Sequence, residues 1–169
     1  MPDAAGLKAL AEDLTAADPA AVRSTLHAHG TARIEIAAAR VRPTLAFLRE
    51  QGFNFLASVH GVDYYPEEPR LGVHYELLDM KSLDRVTVKL RVPLDEPNVP
   101  SVTPDWPTAN HQEREVFDMF GVIFDGHPDP RRILMPEDYE GHPQRRDFPI
   151  GGEPILFTHN ERDVPGWWK

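Results

Sequence analysis

Apolar and polar positions alternate in some stretches of this chain and recur at helical spacing in others, and their order sets the expected fold. Leu7, Leu10, Ala11 and Leu14 share one helical face behind Asp3, a residue suited to capping the first turn, and predict an amphipathic helix. Asp18 followed by Pro19 predicts a second, short helix toward Gly30, with Val22 and Leu26 one turn apart. Ala32, Ile34 and Ile36 then alternate with Thr31, Arg33 and Glu35 at the period of a strand with one buried face. Val41, Leu45 and Leu48 stripe the next helix, with Pro43 in its first turn and Gly52 at its end. Three further alternating runs, 53–60, 73–77 and 85–92, read as strands joined by connections short enough for antiparallel hairpins. The predicted fold is α+β: an N-terminal helical segment over 1–30, then a two-layer core over 31–121 with a mainly antiparallel four-stranded sheet and helices on one face.

From Pro93 the pattern changes, because twelve of the 17 prolines lie between there and the C-terminus. Five fall between Pro93 and Pro107, so that stretch must be extended or turning. A helix resumes at Asn110, an N-cap candidate with Glu113 in the capping-box position, and runs to Gly121 at C′. At 100° per residue, Val116, Phe117, Met119 and Phe120 share a broad apolar face, and Arg114, Glu115 and Asp118 share the opposite one. Glu113 falls among the apolar side chains. A carboxylate there must be paired, protonated or at an interface. One reading is a structural ion pair with Arg131, Arg132, Arg145 or Arg146; the other is a general acid or base with a raised pKa, which requires a pocket. Residues 122–169 are a proline-rich, largely irregular extension, unusual in a compact domain unless it is functional or lies on something else.

Composition narrows the chemistry. The net charge is −9, and the excess of acids is concentrated in the proline-rich part, with 15 Asp and Glu against 7 Lys and Arg over 93–169. Such a field repels phosphate backbones, so neither nucleic acid nor anionic lipid is the expected partner; a basic or neutral protein is. Zero cysteines exclude disulfides, thiolate zinc, cysteine-ligated iron–sulfur clusters and a cysteine nucleophile. No run approaches the ~20 apolar residues of a membrane span, and no signal core follows the N-terminus, so the chain is expected to stay in the cytoplasm.

His111, His127, His142 and His159 invite a metal reading, but no pair stands at i and i+4 on a predicted helix. His127 and His142 both occur as Gly-His-Pro, where a turn can direct the imidazole to a backbone carbonyl. The arginine pairs 131–132 and 145–146 sit among Glu137, Asp138, Glu140 and Asp147, which favours internal or interface ion pairing over nucleotide binding. Gly151 and Gly152 lack the strand, helix and lysine of a phosphate loop, and no serine elbow is present. Trp167 and Trp168 read as an interface anchor.

The run Glu113, Arg114, Glu115, Val116, Phe117, Asp118, Met119, Phe120, Gly121 resembles the signature of the 30 kDa subunit family of respiratory complex I, the C-type subunit of the bacterial NADH:quinone oxidoreductase. The likeness continues through Phe124, Gly126, His127, Pro128, Arg131, Arg132, Ile133 and Leu134, and then from Glu140, Gly141, His142 and Pro143 through Arg145, Arg146, Asp147, Phe148 and Pro149. It covers the core from about residue 31 onward, with Pro130 and Gln144 where leucine is common in the family.

The resemblance implies a non-catalytic structural subunit of the peripheral arm, supporting electron transfer from NADH to quinone coupled to proton translocation. It further implies that the chain carries no cofactor. FMN, iron–sulfur clusters and quinone would belong to partner subunits, and the chief partner would be the large hydrogenase-like subunit at the quinone site. The location implied is peripheral, on the cytoplasmic side of the bacterial inner membrane. Ion pairs or partner contacts are then expected at Glu113, Arg114, Glu115, Asp118, His127, Arg131, Arg132, His142, Arg145, Arg146, Asp147, Trp167 and Trp168. The alternatives are the equivalent subunit of a membrane-bound hydrogenase or other-donor dehydrogenase, and a small histidine and carboxylate metalloenzyme.

Overall fold

The computed structural model describes residues 4–28 and 31–149. The elements run α1 (Ala4–Ala17), β1 (Val22–Ala28), β2 (Thr31–Ile36), a single 3-10 turn, α2 (Val41–Glu50), β3 (Phe55–Asp63), β4 (Leu71–Leu78), β5 (Arg85–Val92), β6 (Asn98–Pro100), α3 (Ala109–Phe120) and β7 (Ile123–Asp125). The α+β class is as expected, but the main sheet has five strands in the order β1-β2-β5-β4-β3. The extra strand is the segment expected to be a short helix. Val22–Ala28 instead pairs antiparallel with β2, Thr25 opposite Ile34, and this ladder overrides the local Asp-Pro helix signal. All pairs in the sheet are antiparallel except β2 with β5, where Ile34 faces Val88.

Alternation decides which face is covered. Ala32, Ile34, Ile36, Val73, Tyr75, Val86, Val88 and Leu90 are fully buried on one face, in a single cluster with the apolar stripes of α1, α2 and α3. The opposite face of the sheet carries polar side chains. β3 is an edge strand, and α3 closes it: the Phe120 ring occupies the space that a Cβ at Gly61 would need, and the Val59 N–H donates to Gln112 Oε1 at 2.6 Å. An unpaired strand edge thus becomes the seat of the helix that carries the candidate site.

The proline-rich stretch after β5 is extended or turning, as expected, with only the three-residue β6 pairing parallel to β7. α3 begins at Ala109, and Thr108 at its N-cap makes no side-chain cap bond. The Asn110 and Glu113 capping box is therefore not formed, because Glu113 turns into the core and is bonded to residues 101–103. Gly121 ends the helix in the left-handed conformation, φ 78°, as its C′ position predicts. Among the described residues no helix is long and apolar enough to cross a membrane.

Candidate functional site

α3 carries two carboxylates into the interior, and each organises a different piece of irregular chain. Glu113 is fully buried. Its Oε2 accepts from the Ser101 and Thr103 hydroxyls at 2.6 and 3.1 Å, and its Oε1 from the Val102 N–H at 2.8 Å. Among the described residues the expected ion pair with Arg131, Arg132, Arg145 or Arg146 is absent, and the His127 ring lies beside the carboxylate with Nε2 at 3.9 Å. Burial pushes the Glu113 carboxyl up, against the pull of the Ser101, Val102 and Thr103 hydrogen bonds.

A general acid or base also needs a pocket. The cavity beside Glu113 is about 40 Å³, apolar and lined by Phe117, Phe124 and Pro130, little more than room for one water molecule. Glu113→Gln should accordingly leave the fold intact and cost less than about 1 kcal/mol at neutral pH, since the amide keeps an acceptor for the Val102 N–H. A raised folded pKa means that ionising wild-type Glu113 costs stability as pH rises past the unfolded value, so the variant should gain on wild type between roughly pH 4.5 and 7. Chemical denaturation at both pH values reads the difference.

Asp118 corrects the helical wheel. The wheel puts it on the exposed face with Arg114 and Glu115, yet it is fully buried. Its Oδ2 accepts three successive backbone N–H groups, from Ile133, Leu134 and Met135 at 3.0, 2.7 and 2.8 Å, while Arg132 Nη1 binds Oδ1 at 2.6 Å. Burial alone would raise the carboxyl, but the bonds from Met135, Arg132, Leu134 and Ile133 outweigh it and hold Asp118 below the usual range. Arg132 also donates to the Gly141 carbonyl, and Arg114 donates to the carbonyls of Arg131 and Arg132. Chain that the prolines keep out of regular structure is thereby fixed on the helix.

A second clamp fastens residues 142–148. Arg70, buried just before β4, meets Asp63 through Nε and Nη2 at 2.9 and 2.7 Å, and Asp147 through Nη1 and Nη2 at 2.7 and 2.6 Å. Asp63 also accepts the Tyr65 and Arg146 N–H groups. Arg70 lowers both carboxyls, and its own guanidinium is held above its ordinary value by them. Nearby, Arg145 donates to the Phe120 carbonyl, the Gln144 N–H donates to the Met119 carbonyl, and Arg146 donates to the Tyr65 carbonyl.

The histidines serve backbone as the Gly-His-Pro turns predict. His127 Nε2 lies 3.1 Å from the Asn110 carbonyl while its Nδ1 accepts the Asp129 N–H, and His142 Nδ1 lies 2.9 Å from the Asp118 carbonyl. Burial holds the His142 imidazole below its ordinary pKa. Among the described residues no group of three His, Asp or Glu side chains is arranged to hold a metal ion. Arg131 and Arg132 pair internally, but their acids are Asp129 and Asp118, and not Glu137, Asp138 or Glu140. Asp147 pairs with Arg70, a residue that no local pattern singles out in the connection before β4. Glu115 is exposed on α3. His159, Trp167 and Trp168 lie outside the described residues.

The site can therefore hold chain in place. Its carboxylates are saturated by the protein's own donors, and the described part of the extension, residues 122–149, expected to lean on neighbours, is bonded to this chain's core.

The family described as respiratory-chain NADH dehydrogenase, 30 Kd subunit, matches over residues 34–154. The C-type subunit of NADH-quinone oxidoreductase from Roseiflexus sp. (strain RS-1) is 46% identical over 153 residues, 89% of this chain and 88% of the relative. NADH-quinone oxidoreductase subunit 5 of Thermus thermophilus is 42% identical, covering 77% of this chain and 67% of the relative. Among solved structures, a trypsin-resistant fragment of Nqo5 superposes with a TM-score of 0.65 at 33% identity, over 73% of this chain and 98% of the fragment. A chain of the membrane-bound sulfane sulfur reductase, an archaeal respiratory membrane complex, superposes with a TM-score of 0.73 at 26% identity, over 85% of each chain.

Proposed function

Since the chain belongs to the respiratory-chain NADH dehydrogenase 30 Kd subunit family, we propose that within NADH-quinone oxidoreductase it acts by position, as a non-catalytic subunit of the peripheral arm. The observation that carries this reading is the state of the family motif itself. Glu113, Asp118 and Asp147, the acids most suited to proton chemistry, are each satisfied by hydrogen bonds or an ion pair from within the chain. The cavity beside Glu113 is far too small for a nicotinamide or a quinone headgroup. What the motif does is hold residues 131–148 as a rigid shelf beside α3, and a rigid shelf suits docking because little ordering entropy remains to be lost on association.

Electron carriers belong to other subunits on this account. A cluster ligated by cysteine does not fit a chain that has none. FMN, iron–sulfur clusters and quinone sit in the partners, chiefly the large hydrogenase-like subunit at the quinone site, and this chain keeps those partners at the spacing electron transfer requires. It lies on the cytoplasmic side of the membrane, peripheral to it. The exposed side chains of Ile133 and Leu134, held outward by the Asp118 clamp, together with Arg131, Trp167 and Trp168, are its expected partner contacts.

Purification of the complex from solubilised membranes through a tag on this chain tests the proposal. The flavin- and cluster-bearing subunits should accompany it with NADH:quinone activity. Recovery of the chain without companions would refute the role. A second reading, the equivalent subunit of a complex with another electron donor, is favoured by the structural likeness to the sulfane sulfur reductase chain. Companions without an NADH-oxidising subunit would establish it.

A further inference from the structure

The helices cover one face of the main sheet, and the opposite face is open and carries a charge unlike the rest of the molecule. Adjacent strands place Glu35, Lys89, His74 and His60 in a row across it, and β2 and β5 add Arg33 and Arg85. With Arg91 and Glu76, the strands present four cations against two carboxylates on this face, in a chain of net charge −9. Those carboxylates are engaged: Glu35 pairs with Lys89 at 3.0 Å, and Glu76 accepts the Thr87 hydroxyl at 2.9 Å. Arg91 lies over the Tyr64 ring and 3.5 Å from Glu67. Arg33 and Arg85 are exposed, and among the described residues neither has an ion pair or hydrogen-bond partner for its guanidinium.

The face is hollow as well as positive. A cavity of about 480 Å³ is lined by Arg33, Lys89, His60, His74 and Tyr64, with one carboxylate, Glu76, which accepts the Thr87 hydroxyl, and with Leu26 exposed at its rim. His74 registers the local field: burial, then the charges of His60, Lys89 and Arg33, hold its imidazole down to about 4. Arg33 lines this concavity, and Arg85 stands on the same face of β5 two residues before Thr87; two free guanidiniums so placed suit carboxylates, which they bind bidentately. The excess acid elsewhere on the chain disfavours a nucleic acid as occupant.

We propose that the open sheet face is a docking surface for an acidic, extended segment of a neighbouring subunit, with its carboxylates at Arg33 and Arg85 and beside Lys89. The inference deepens the role proposed above and rests on it. A zero-length carbodiimide reagent applied to the tag-purified complex tests it, because the reagent joins an amine to a carboxylate only in direct contact. Lys89 should be joined to an Asp or Glu of another subunit. The double variant Arg33→Glu, Arg85→Glu, both exposed and so neutral to folding, should lower that product and the co-purified partner by about tenfold.

Products joining Lys89 only to Glu35, or to acids of this chain such as Glu153, Glu161 or Asp163, would overturn the surface while leaving the subunit role standing. Undiminished partner recovery with the double variant would do the same. Absence of any companion subunit would overturn both.

Discussion

Replacing Asp118 with alanine should cost about 3–5 kcal/mol and free residues 131–135 from α3, since it removes the shared acceptor of three backbone N–H groups and of a mostly buried guanidinium. The Asp118 carboxylate is fully buried, so its loss leaves the three N–H groups and the Arg132 guanidinium without the acceptor that ties them to α3. For a chain of this size the loss corresponds to a fall in melting temperature of roughly 10 °C. Trypsin gives a second readout. Cleavage after Arg131 and Arg132 should be slow in the wild type and fast in the variant, because Arg132 is held by Asp118 and Gly141. Asp118→Asn should fall between the two, keeping one oxygen but pointing an N–H₂ group at a donor. An Asp118→Ala protein with wild-type melting and wild-type cleavage would show that the clamp holds nothing.

Arg70→Ala should be as damaging, about 3–5 kcal/mol, and should also invert the response to pH. In the wild type Arg70 depresses the carboxyls of Asp63 and Asp147. A depressed folded pKa contributes stability that is fully present above the unfolded value of about 4 and is lost as pH falls through the folded pKa values. The contribution of this clamp to wild-type stability should therefore hold from neutral pH down to roughly pH 4 and decline below it, beside the separate Glu113 dependence described above. Without Arg70, Asp63 is a buried charge with only two N–H donors, from Tyr65 and Arg146. Its pKa should move upward, so the variant should weaken as pH rises from about 4 toward 7. Denaturation profiles at several pH values distinguish the two curves. Parallel curves would contradict the assignment of Arg70 as the group that offsets the burial of Asp63.

How far these features are legible in the sequence depends on the range of the forces involved. The strand pattern of β2, β4 and β5 and the stripe of α2 are local, and so is the Gly121 helix end; periodicity and turn chemistry suffice for all of them. The burial of Glu113 follows from its place among Val116, Phe117, Met119 and Phe120 on the wheel. Its partners do not, because Ser101, Val102 and Thr103 lie in a proline-rich stretch without a period. Asp118 escapes the wheel for a related reason. Helical spacing sets it opposite the apolar stripe, but the face it occupies is covered by irregular chain 15 to 17 residues on, and spacing carries no sign of such cover.

Arg70 and Asp147 stand 77 residues apart, and only the closed fold brings them together. The Val22–Ala28 segment shows the reverse failure: it holds a local helix signal, and pairing with β2 overrules it. The likeness to a known family supplies the motif residues, and the structure supplies what they hold.

The central claim is that this chain contributes geometry and no turnover. Its most direct test is to assay the purified, metal-free full chain for NADH oxidation, and then to add the same preparation to membranes from cells lacking it. The account predicts no turnover by the chain alone and restored NADH:quinone activity on addition. NADH oxidation by the isolated chain, scaling with its concentration and abolished by Glu113→Gln, would contradict it.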